Sequence, residues 1–222
     1  MDLEGWLLEY RHICDELGID PVKDQRATEL AEQLAQGRKL SLDLLKPLIG
    51  GKPVIVFGAG PSLEDGLRSF KKADHILIAA DGAVSALLQN GIVPEINVTD
   101  LDGDIGDILR ANQLGTITVV HAHGDNMEKL KEIVPKIRGK LVLTTQTRPT
   151  SNVKDFFGFT DGDRCVALAK HFGASAIRLI GFDFGEEVGR FSNPERPYIH
   201  KANERKKKKL EIAERLVRRF LD

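Results

Sequence analysis

Short runs of β-branched and other apolar residues recur from residue 53 onward, and a helix-like stretch follows each of them. The six runs are Val54–Phe57, His75–Ala79, Glu95–Val98, Ile117–His121, Leu141–Thr144 and Ile177–Ile180. Buried strands that alternate with helices are typical of a parallel sheet covered by helices on both faces. The pattern therefore predicts a doubly wound α/β fold with a mainly parallel sheet of about six strands.

The N-terminal part of the chain has a different pattern. Apolar residues at three- and four-residue intervals predict a helix between Trp6 and Leu17, and further helices are expected at Pro21–Leu34 and Ser41–Leu45. Glycine and proline residues then end this pattern. We expect an N-terminal helical subdomain at 1–49 and an α/β nucleotide-binding catalytic domain at 50–222, which closes with a helix.

Composition excludes several classes of protein. The 222 residues have a formal net charge of −1, whereas a general nucleic-acid binder needs a strong positive excess. Cys14 and Cys165 stand far apart, which predicts neither a disulfide framework nor a thiolate zinc site. The first residues lack a secretory signal pattern, and no apolar run is long enough to span a bilayer. We expect a cytoplasmic protein with no nucleic-acid or membrane partner.

The acidic stretch Asn97–Asp104 follows the third strand, and Asp100, Asp102 and Asp104 alternate with other residues in it. In extended backbone alternate side chains leave the same face, so the three carboxylates would project together from the strand end. Like charges this close repel each other, and Mg²⁺ that binds a phosphate substrate would offset the repulsion. The pattern predicts a magnesium site for phosphoryl or diphosphoryl transfer.

Asp81 extends this carboxylate set, because it directly follows the second strand. The metal ligands expected from these patterns are Asp81, Asp100, Asp102 and Asp104. An EF-hand is excluded, since Ile105 and Ala111 stand where its calcium loop needs glycine and glutamate. An acidic loop that caps a helix starting near Ile105 remains the alternative.

A glycine-rich turn, Gly58–Leu63, follows the first strand. Such a turn and the helix after it can form an anion site from backbone N–H groups. The turn lacks the Gly-Lys-Ser/Thr of a P-loop and the third glycine of GxGxxG. We expect Gly58, Gly60, Pro61 and Ser62 to bind nucleotide; a tight strand-to-helix turn without a ligand is the alternative.

Histidine and aspartate residues follow the fourth strand. The spacing of His121 and His123 would suit a transition metal, but a chain with six histidines offers few further donors for such a site. His123 is better placed as a hydrogen-bond donor to phosphate, and Asp125 as a group close to the metal. An exposed polar turn that caps a helix remains open for both residues.

Later strand ends supply further candidates for nucleotide or substrate binding. Gln146 has both a donor and an acceptor, which suits the edge of a heterocycle, and Phe159 could stack on such a ring. Asp161 or Asp163 could accept hydrogen bonds from ring N–H groups, and Asp183 follows the sixth strand on the same rim. Helix capping would explain the aspartates equally well.

Six motifs occur in order along the chain: GAGPSL at 58–63, ADG at 80–82, TDLDGD at 99–104, HAHGDN at 121–126, GFTDGDR at 158–164 and GFDFG at 181–185. Together they resemble the archaeal MptE-type 6-hydroxymethyl-7,8-dihydropterin pyrophosphokinase family over roughly residues 50–215. The resemblance implies Mg²⁺-dependent transfer of diphosphate from ATP to the pterin hydroxymethyl oxygen, with release of AMP, in archaeal pterin cofactor biosynthesis. This family is distantly similar to thiamine pyrophosphokinases. The match implies metal binding by Asp81, Asp100 and Asp102, and extends to Asp104 and Asp125.

For such a reaction we expect His123 and Asp125 as catalytic residues, the first on the phosphate oxygens and the second on the attacking hydroxyl. One lysine of Lys206–Lys209 either reaches a triphosphate or belongs to a solvated helix face. A glycosyltransferase that uses a nucleotide sugar and a non-catalytic nucleotide-binding module remain alternatives. The expected partners are ATP and a small heterocyclic alcohol, a pterin, and the apolar faces of the N-terminal helices could serve a homodimer.

Overall fold

A computed structural model describes residues 2–222 of the chain. The helices are α1 (Leu3–Leu17), α2 (Pro21–Ala35), α3 (Leu45–Ile49), α4 (Leu63–Arg68), α5 (Ala83–Gln89), α6 (Ile105–Gln113), α7 (Met127–Ile133), α8 (Asp161–His171) and α9 (Glu204–Leu221). The strands are β1 (Pro53–Phe57), β2 (Ile76–Ala80), β3 (Ile96–Thr99), β4 (Ile117–Ala122), β5 (Leu141–Thr145), β6 (Val153–Lys154), β7 (Ala176–Ile180), β8 (Glu187–Val188) and β9 (His200–Lys201). Within residues 2–222, no helix is both long and apolar enough to cross a membrane.

Seven strands form one sheet in the order β6-β5-β4-β3-β2-β1-β7, and every neighbouring pair in it is parallel. The predicted doubly wound α/β fold is confirmed. Each of the six predicted strands is present, and its ends lie within one residue of the prediction. The sequence pattern does not predict β6, because its two residues are too few to form an apolar run.

The path of the chain across the sheet determines where the helices and the ligand site lie. From β1 the chain moves stepwise through β2 to β6, then returns to the other side of β1 as β7. Right-handed crossovers put the helices of the outward path on one face and α8, on the return path, on the other. The carboxyl ends of β1 and β7 therefore form a topological switch point, where α/β sheets bind ligands.

Alternate residues of β1 show how both faces of the sheet are covered. Val54 and Val56 pack in a core with α1, α3, α8 and α9, whereas Ile55 and Phe57 pack with α4, α5 and α6 on the opposite face. All four side chains are buried. Burial of an apolar side chain of this size contributes about 1.5–3 kcal/mol. A strand covered on both faces has no polar side, which explains the continuous apolar runs in the sequence.

The first two helices pack on opposite faces of the sheet. Trp6 and Ile13 of α1 are fully buried in the core shared with α8 and α9. Ala27 and Ala31 of α2 are fully buried in a separate core with α7, β4 and β5. Each helix therefore shares a core with the sheet. The expected boundary between an N-terminal helical subdomain and the α/β domain, at residues 49 and 50, stays a prediction.

The segment between β7 and α9 lies across the turns that follow β1 and β2. It contains the antiparallel pair β8–β9. A Cβ at Gly82 would lie 1.9 Å from the Phe191 carbonyl oxygen, and one at Gly189 would lie 2.3 Å from the Ala59 carbonyl oxygen. A side chain at either position would force the backbones apart, so glycine keeps this segment close to the carboxyl edge of the sheet.

The loop from β6 to α8 contains a poorly paired carboxylate. Asp155 Oδ1 accepts a hydrogen bond of 2.7 Å from the Phe157 N–H, but the buried Oδ2 has no partner within residues 2–222. The Phe157 hydrogen bond and the charge of Arg164 lower the pKa of Asp155, but burial has the larger effect and raises it to about 7. The folded protein therefore favours the protonated acid at this position.

We predict that Asp155→Asn stabilises the protein at alkaline pH. Because the folded-state pKa of Asp155 is raised above its ordinary value of 3.8, wild-type stability should fall as pH rises between about 4 and 7. The amide resembles the protonated acid and does not titrate. The melting temperature of the variant should therefore exceed that of wild type at pH 8, and the difference should shrink towards pH 5. Asp43→Asn, at an exposed site, is the control; an equal difference at both pH values would contradict this account.

Candidate active site

Three carboxylates converge at the carboxyl edge of the sheet. Asp81 follows β2, Asp100 follows β3, and Asp161 is the first residue of α8. One oxygen atom of each lies within 4.8 Å of the other two, and all three residues are half-buried. Carboxylate oxygens are the ligands that hard divalent cations prefer. The group is therefore a candidate metal centre.

The backbone of Asp81 has an unusual conformation that the neighbouring strand stabilises. Its φ is 43°, in the left-handed region that aspartate enters more readily than most residues. The Asp81 N–H donates to the Val98 carbonyl at 2.6 Å, and the Asn97 side chain donates to the Asp81 carbonyl at 3.1 Å. The Thr99 hydroxyl donates to Asp81 Oδ1 at 2.6 Å. These contacts with β3 fix the Asp81 carboxylate beside that of Asp100.

Electrostatic repulsion acts within this carboxylate group. Burial, followed by the charge of Asp100, raises the pKa of Asp81 to about 7. Burial and then the charges of Asp100 and Asp81 also raise the pKa of Asp161, although Arg164 opposes the shift. Two of the three carboxylates thus resist ionisation when nothing positive lies between them.

His123 lies next to Asp100. Its Nδ1 accepts a hydrogen bond of 3.3 Å from the Asp125 N–H, so a neutral ring has its proton on Nε2. Nε2 lies 3.7 Å from Asp100 Oδ2 and has no hydrogen-bond partner within residues 2–222. Burial acts to raise the pKa of Asp100, but His123 and the charges of Arg164 and Lys209 lower it to about 2. Asp100 is therefore the ionised member of the group.

Arg164 connects the carboxylate group to the neighbouring strand end. This buried side chain donates from Nη1 to Asp161 Oδ1 at 3.0 Å, and from Nη2 to the Phe159 carbonyl at 2.9 Å. Nη2 also lies 3.4 Å from Gln146 Oε1. Arg164 is not among the site residues predicted from the sequence. Its position three residues after Asp161 on a helix is the signal that could have paired the two side chains.

Asp102 and Asp104 lie outside the group of three. β3 ends at Thr99, and Leu101 has a φ of 69°, so the backbone is not extended and the expected alternation of carboxylates does not occur. Asp102 forms an ion pair with Lys129 at 2.7 Å, half exposed to solvent. Asp104 is the N-cap of α6 and accepts from the N–H three residues later at 2.9 Å. This is the helix-capping role that the sequence left open for the acidic loop.

A cavity of about 210 Å³, the first cavity, adjoins the three carboxylates at the switch point between β1 and β7. Gly58, Gly60 and Phe182 line one side of it, and Lys206 and Lys209 of α9 line another. Asp102 and Asp183 also lie in its wall. The first cavity thus combines negative, positive and aromatic groups, as a nucleotide with a bound cation would require.

The glycine turn after β1 packs against the turn after β7. The Gly58 and Gly60 N–H groups donate to the carbonyls of Ile180 and Gly181 at 2.8 and 2.9 Å. The N–H and hydroxyl of Ser62, next to Pro61, both donate to Asp183 Oδ2, at 3.0 and 2.7 Å. These donors of Gly58, Gly60 and Ser62 are therefore used within the chain, and nucleotide binding by the turn stays a prediction. The glycines instead permit the close approach of the two turns.

The lysine run contributes two of its members to the first cavity. Lys206 and Lys209 are three residues apart on α9 and face the cavity together. Burial and the charge of Lys209 lower the pKa of Lys206. Lys207 instead pairs with Glu204 at 3.3 Å on the outer side of the helix. Lys207 therefore fits the solvated helix face, whereas contact of Lys206 or Lys209 with a triphosphate stays a prediction.

Asp163 has a structural place at the start of α8. Its buried carboxylate accepts from the Phe159 N–H at 2.5 Å and from the Thr160 N–H and hydroxyl at 2.9 and 2.8 Å. This is a capping box, which satisfies the first turn of the helix. The contacts hold Phe159 in place, whereas they leave Asp163 little capacity for a ligand.

A second cavity of about 150 Å³ lies on the other side of Asp100, Phe159 and Lys209, which line both cavities. Its remaining wall includes Asp24, His121, His123, Asp125, Gln146 and Arg164. Asp125 is exposed at its edge. Asp24, from α2, is far from these residues in sequence, and nothing in its local pattern distinguishes it.

Comparison with known proteins identifies the family. Residues 28–189, more than half of the chain, match the model described as 6-hydroxymethylpterin diphosphokinase MptE-like. A protein of Methanocaldococcus jannaschii is 40% identical over 233 residues, which covers 100% of this chain and 97% of that protein. Proteins of Methanothermobacter thermautotrophicus and Pyrococcus furiosus are 42% and 44% identical, over 98% of this chain and 94% and 93% of their own lengths.

All three relatives are named 6-hydroxymethyl-7,8-dihydropterin pyrophosphokinase. The match to the first relative covers the whole chain, so it extends beyond the region that carries the six motifs and includes α1 and α2. The resemblance stated from the motifs is thus confirmed by likeness over the whole chain. The chain belongs to the MptE-like family of 6-hydroxymethylpterin diphosphokinases.

Proposed function

We propose that this chain transfers a diphosphate group from ATP to the hydroxymethyl oxygen of 6-hydroxymethyl-7,8-dihydropterin, with Mg²⁺ bound by Asp81, Asp100 and Asp161. The relatives' shared name supports the acceptor and the enzyme class predicted from the sequence, a pyrophosphokinase. The observation that carries the mechanism is the convergence of three carboxylates beside a cavity with two lysines.

The carboxylate group fits a hard divalent cation. Its donor atoms lie within 4.8 Å of one another. Burial, and after it the charge of Asp100, raises the pKa of Asp81 and of Asp161, so a bound cation would favour their ionised forms. When bound there, Mg²⁺ would neutralise phosphate charge that grows as the diphosphate is transferred. In this set Asp161 takes the place of Asp102 and Asp104, which were predicted from the sequence. Asp102 instead pairs with Lys129, and Asp104 caps α6.

The first cavity suits the nucleotide. Lys206 and Lys209 would bind the phosphate oxygens opposite the carboxylates, since ammonium groups supply positive charge and three donors each. Phe182 offers a face for the adenine ring near the glycine turn. Gly58, Gly60 and Asp183 would contact the nucleotide as cavity wall, with Pro61 and Ser62 supporting that turn from outside.

His123 and Asp125 would assist the chemical step. The hydroxymethyl oxygen forms a bond to the β-phosphorus, the bond from that phosphorus to the α–β bridging oxygen breaks, and AMP leaves. His123 Nε2 is free to donate to a phosphate oxygen, since its other nitrogen is fixed by the Asp125 N–H. The Asp125 carboxylate would accept the hydroxyl proton and pass it to solvent, to which it is exposed. Most of the acceleration would come from positioning and preorganised charge.

We predict that Asp161→Asn and Asp100→Asn each lower kcat by at least about a hundredfold, because each removes a negative ligand from the metal centre. Steady-state assays at saturating Mg²⁺ measure this loss. Asp104→Asn is the discriminating variant, since asparagine is an equally good N-cap and Asp104 is outside the group of three. A large loss in Asp104→Asn with little loss in Asp161→Asn would favour the sequence-based ligand set instead.

The coproduct distinguishes diphosphate transfer from other uses of ATP. We predict that chromatography of the reaction shows one AMP formed for each pterin diphosphate, with no ADP. Phosphoryl transfer would give ADP, and a glycosyltransferase that uses a nucleotide sugar would leave ATP intact. Either result would reject the proposed reaction.

Lys206 should affect nucleotide binding more than acceptor binding. It lies in the wall of the first cavity and outside that of the second. A charge-assisted hydrogen bond to phosphate is worth about 1.5–3 kcal/mol, so Lys206→Met should raise the KM for ATP by about tenfold or more. Lys208→Met, at an exposed position of the same helix, should leave it unchanged. If both variants behave alike, the phosphates do not lie against this face of α9.

A further inference from the structure

We infer that the second cavity binds the heterocyclic ring of the acceptor, and that Gln146 is the residue that recognises its hydrogen-bonding edge. This inference rests on the proposed function, because it assigns the second substrate of the same reaction. It is supported by the position of the cavity, the hydrogen-bonding groups of Gln146 and Arg164 in its wall and the planar side chains around it.

The position of the second cavity suits a substrate that attacks the nucleotide. The two cavities share one wall, which is formed by Asp100, Phe159 and Lys209. With the phosphates next to Asp100 in the first cavity, a hydroxymethyl group attached to a ring in the second would reach them past this wall. A ring placed in the first cavity would compete with the nucleotide for the same space.

Gln146 is held in one orientation. Its Nε2 donates to Asp24 Oδ2 at 2.6 Å, and Asp24 is itself fixed by the Tyr10 hydroxyl at 2.5 Å and the Gly124 N–H at 2.6 Å. The donor end of the amide is therefore used, and the acceptor end, Oε1, points the other way. Oε1 contacts His121 Nε2 at 3.3 Å and Arg164 Nη2 at 3.4 Å. These are long contacts, and they leave Oε1 able to accept a shorter bond from a ligand.

A donor without a partner lies in the same wall. Arg164 is 3% exposed, and its buried Nε has no hydrogen-bond partner within residues 2–222. A buried polar group without a partner is costly, so an acceptor atom from a ligand would be favourable there. Gln146 Oε1 and Arg164 together offer an acceptor beside a donor. The lactam edge of a pterin, an N–H next to a carbonyl, has the complementary arrangement.

Planar side chains form the sides of the second cavity. Phe159 lies at the wall shared with the first cavity, and its backbone is held by Asp163 and Arg164. His121 and His123 stack on each other with ring centres 6.0 Å apart and an angle of 22° between their planes. A flat fused ring fits between such faces better than a sugar does.

The test uses a ligand that cannot react. 6-Methyl-7,8-dihydropterin has the same ring edge but lacks the attacking hydroxyl, so its affinity can be measured by calorimetry without turnover. Gln146→Met keeps the length of the side chain and removes its hydrogen bonds. We expect it to weaken binding of this probe by at least about tenfold, while binding of α,β-methylene-ATP changes less than about twofold. Lys206→Met should show the opposite pattern, and Gln113→Met, exposed at the end of α6, should change neither.

The outcomes separate the site assignment from the proposed reaction. If wild-type enzyme converts hydroxymethyldihydropterin but Gln146→Met binds the probe normally, or loses both ligands equally while folded by circular dichroism, the second cavity is not the acceptor site. If Gln146→Met does not fold, a crystal structure of wild type with the probe decides: electron density between Gln146 and Phe159 supports the assignment, and density elsewhere overturns it. Failure of wild type to release AMP with any hydroxymethylpterin would reject the proposed function, and the acceptor site with it.

Discussion

The repulsion among Asp81, Asp100 and Asp161 is the constraint on which the rest of the site depends. Three half-buried carboxylates with oxygen atoms within 4.8 Å of one another are unfavourable unless positive charge offsets them. The fold supplies part of that charge, since Arg164 pairs with Asp161 at 3.0 Å. Burial, followed by the charge of Asp100, still raises the pKa of Asp81 and of Asp161, and a divalent cation bound between the carboxylates would favour their ionised forms.

The same residues join the two cavities into one site. Arg164 donates to Asp161 on the side of the first cavity and contacts Gln146 on the side of the second. Asp100 lies in the wall of both cavities. A charged ligand bound in one cavity would therefore lie next to residues that also line the other. α1 and α2 also take part, because Asp24 and Tyr10 orient Gln146; the N-terminal helices support the site as well as the sheet.

The sequence predicted the fold well and the site in part. Apolar runs reveal buried parallel strands, so the strands and the nearness of Asp81 and Asp100, at adjacent strand ends, followed from pattern alone. The extended backbone expected from Asp100 to Asp104 was wrong, because Leu101 is in the left-handed conformation, and a single left-handed residue has no clear signal in the sequence. The position of Asp161 beside Asp81 and Asp100 could not be predicted from its local sequence either. An aspartate in the first turn of a helix has the same sequence signal whether or not it binds a metal, and only the packing of α8 on the sheet brings it to the other two.

The most direct test of the central claim is to locate a bound divalent ion. Mn²⁺ replaces Mg²⁺ at oxygen sites and scatters anomalously, so crystals grown with Mn²⁺ and α,β-methylene-ATP would show its position in an anomalous difference map. The account predicts a peak within coordination distance, about 2.0–2.3 Å, of carboxylate oxygens of Asp81, Asp100 and Asp161, and in contact with the nucleotide phosphates. A peak bound instead by Asp102 and Asp104, or nucleotide bound with no metal near the three carboxylates, would contradict it.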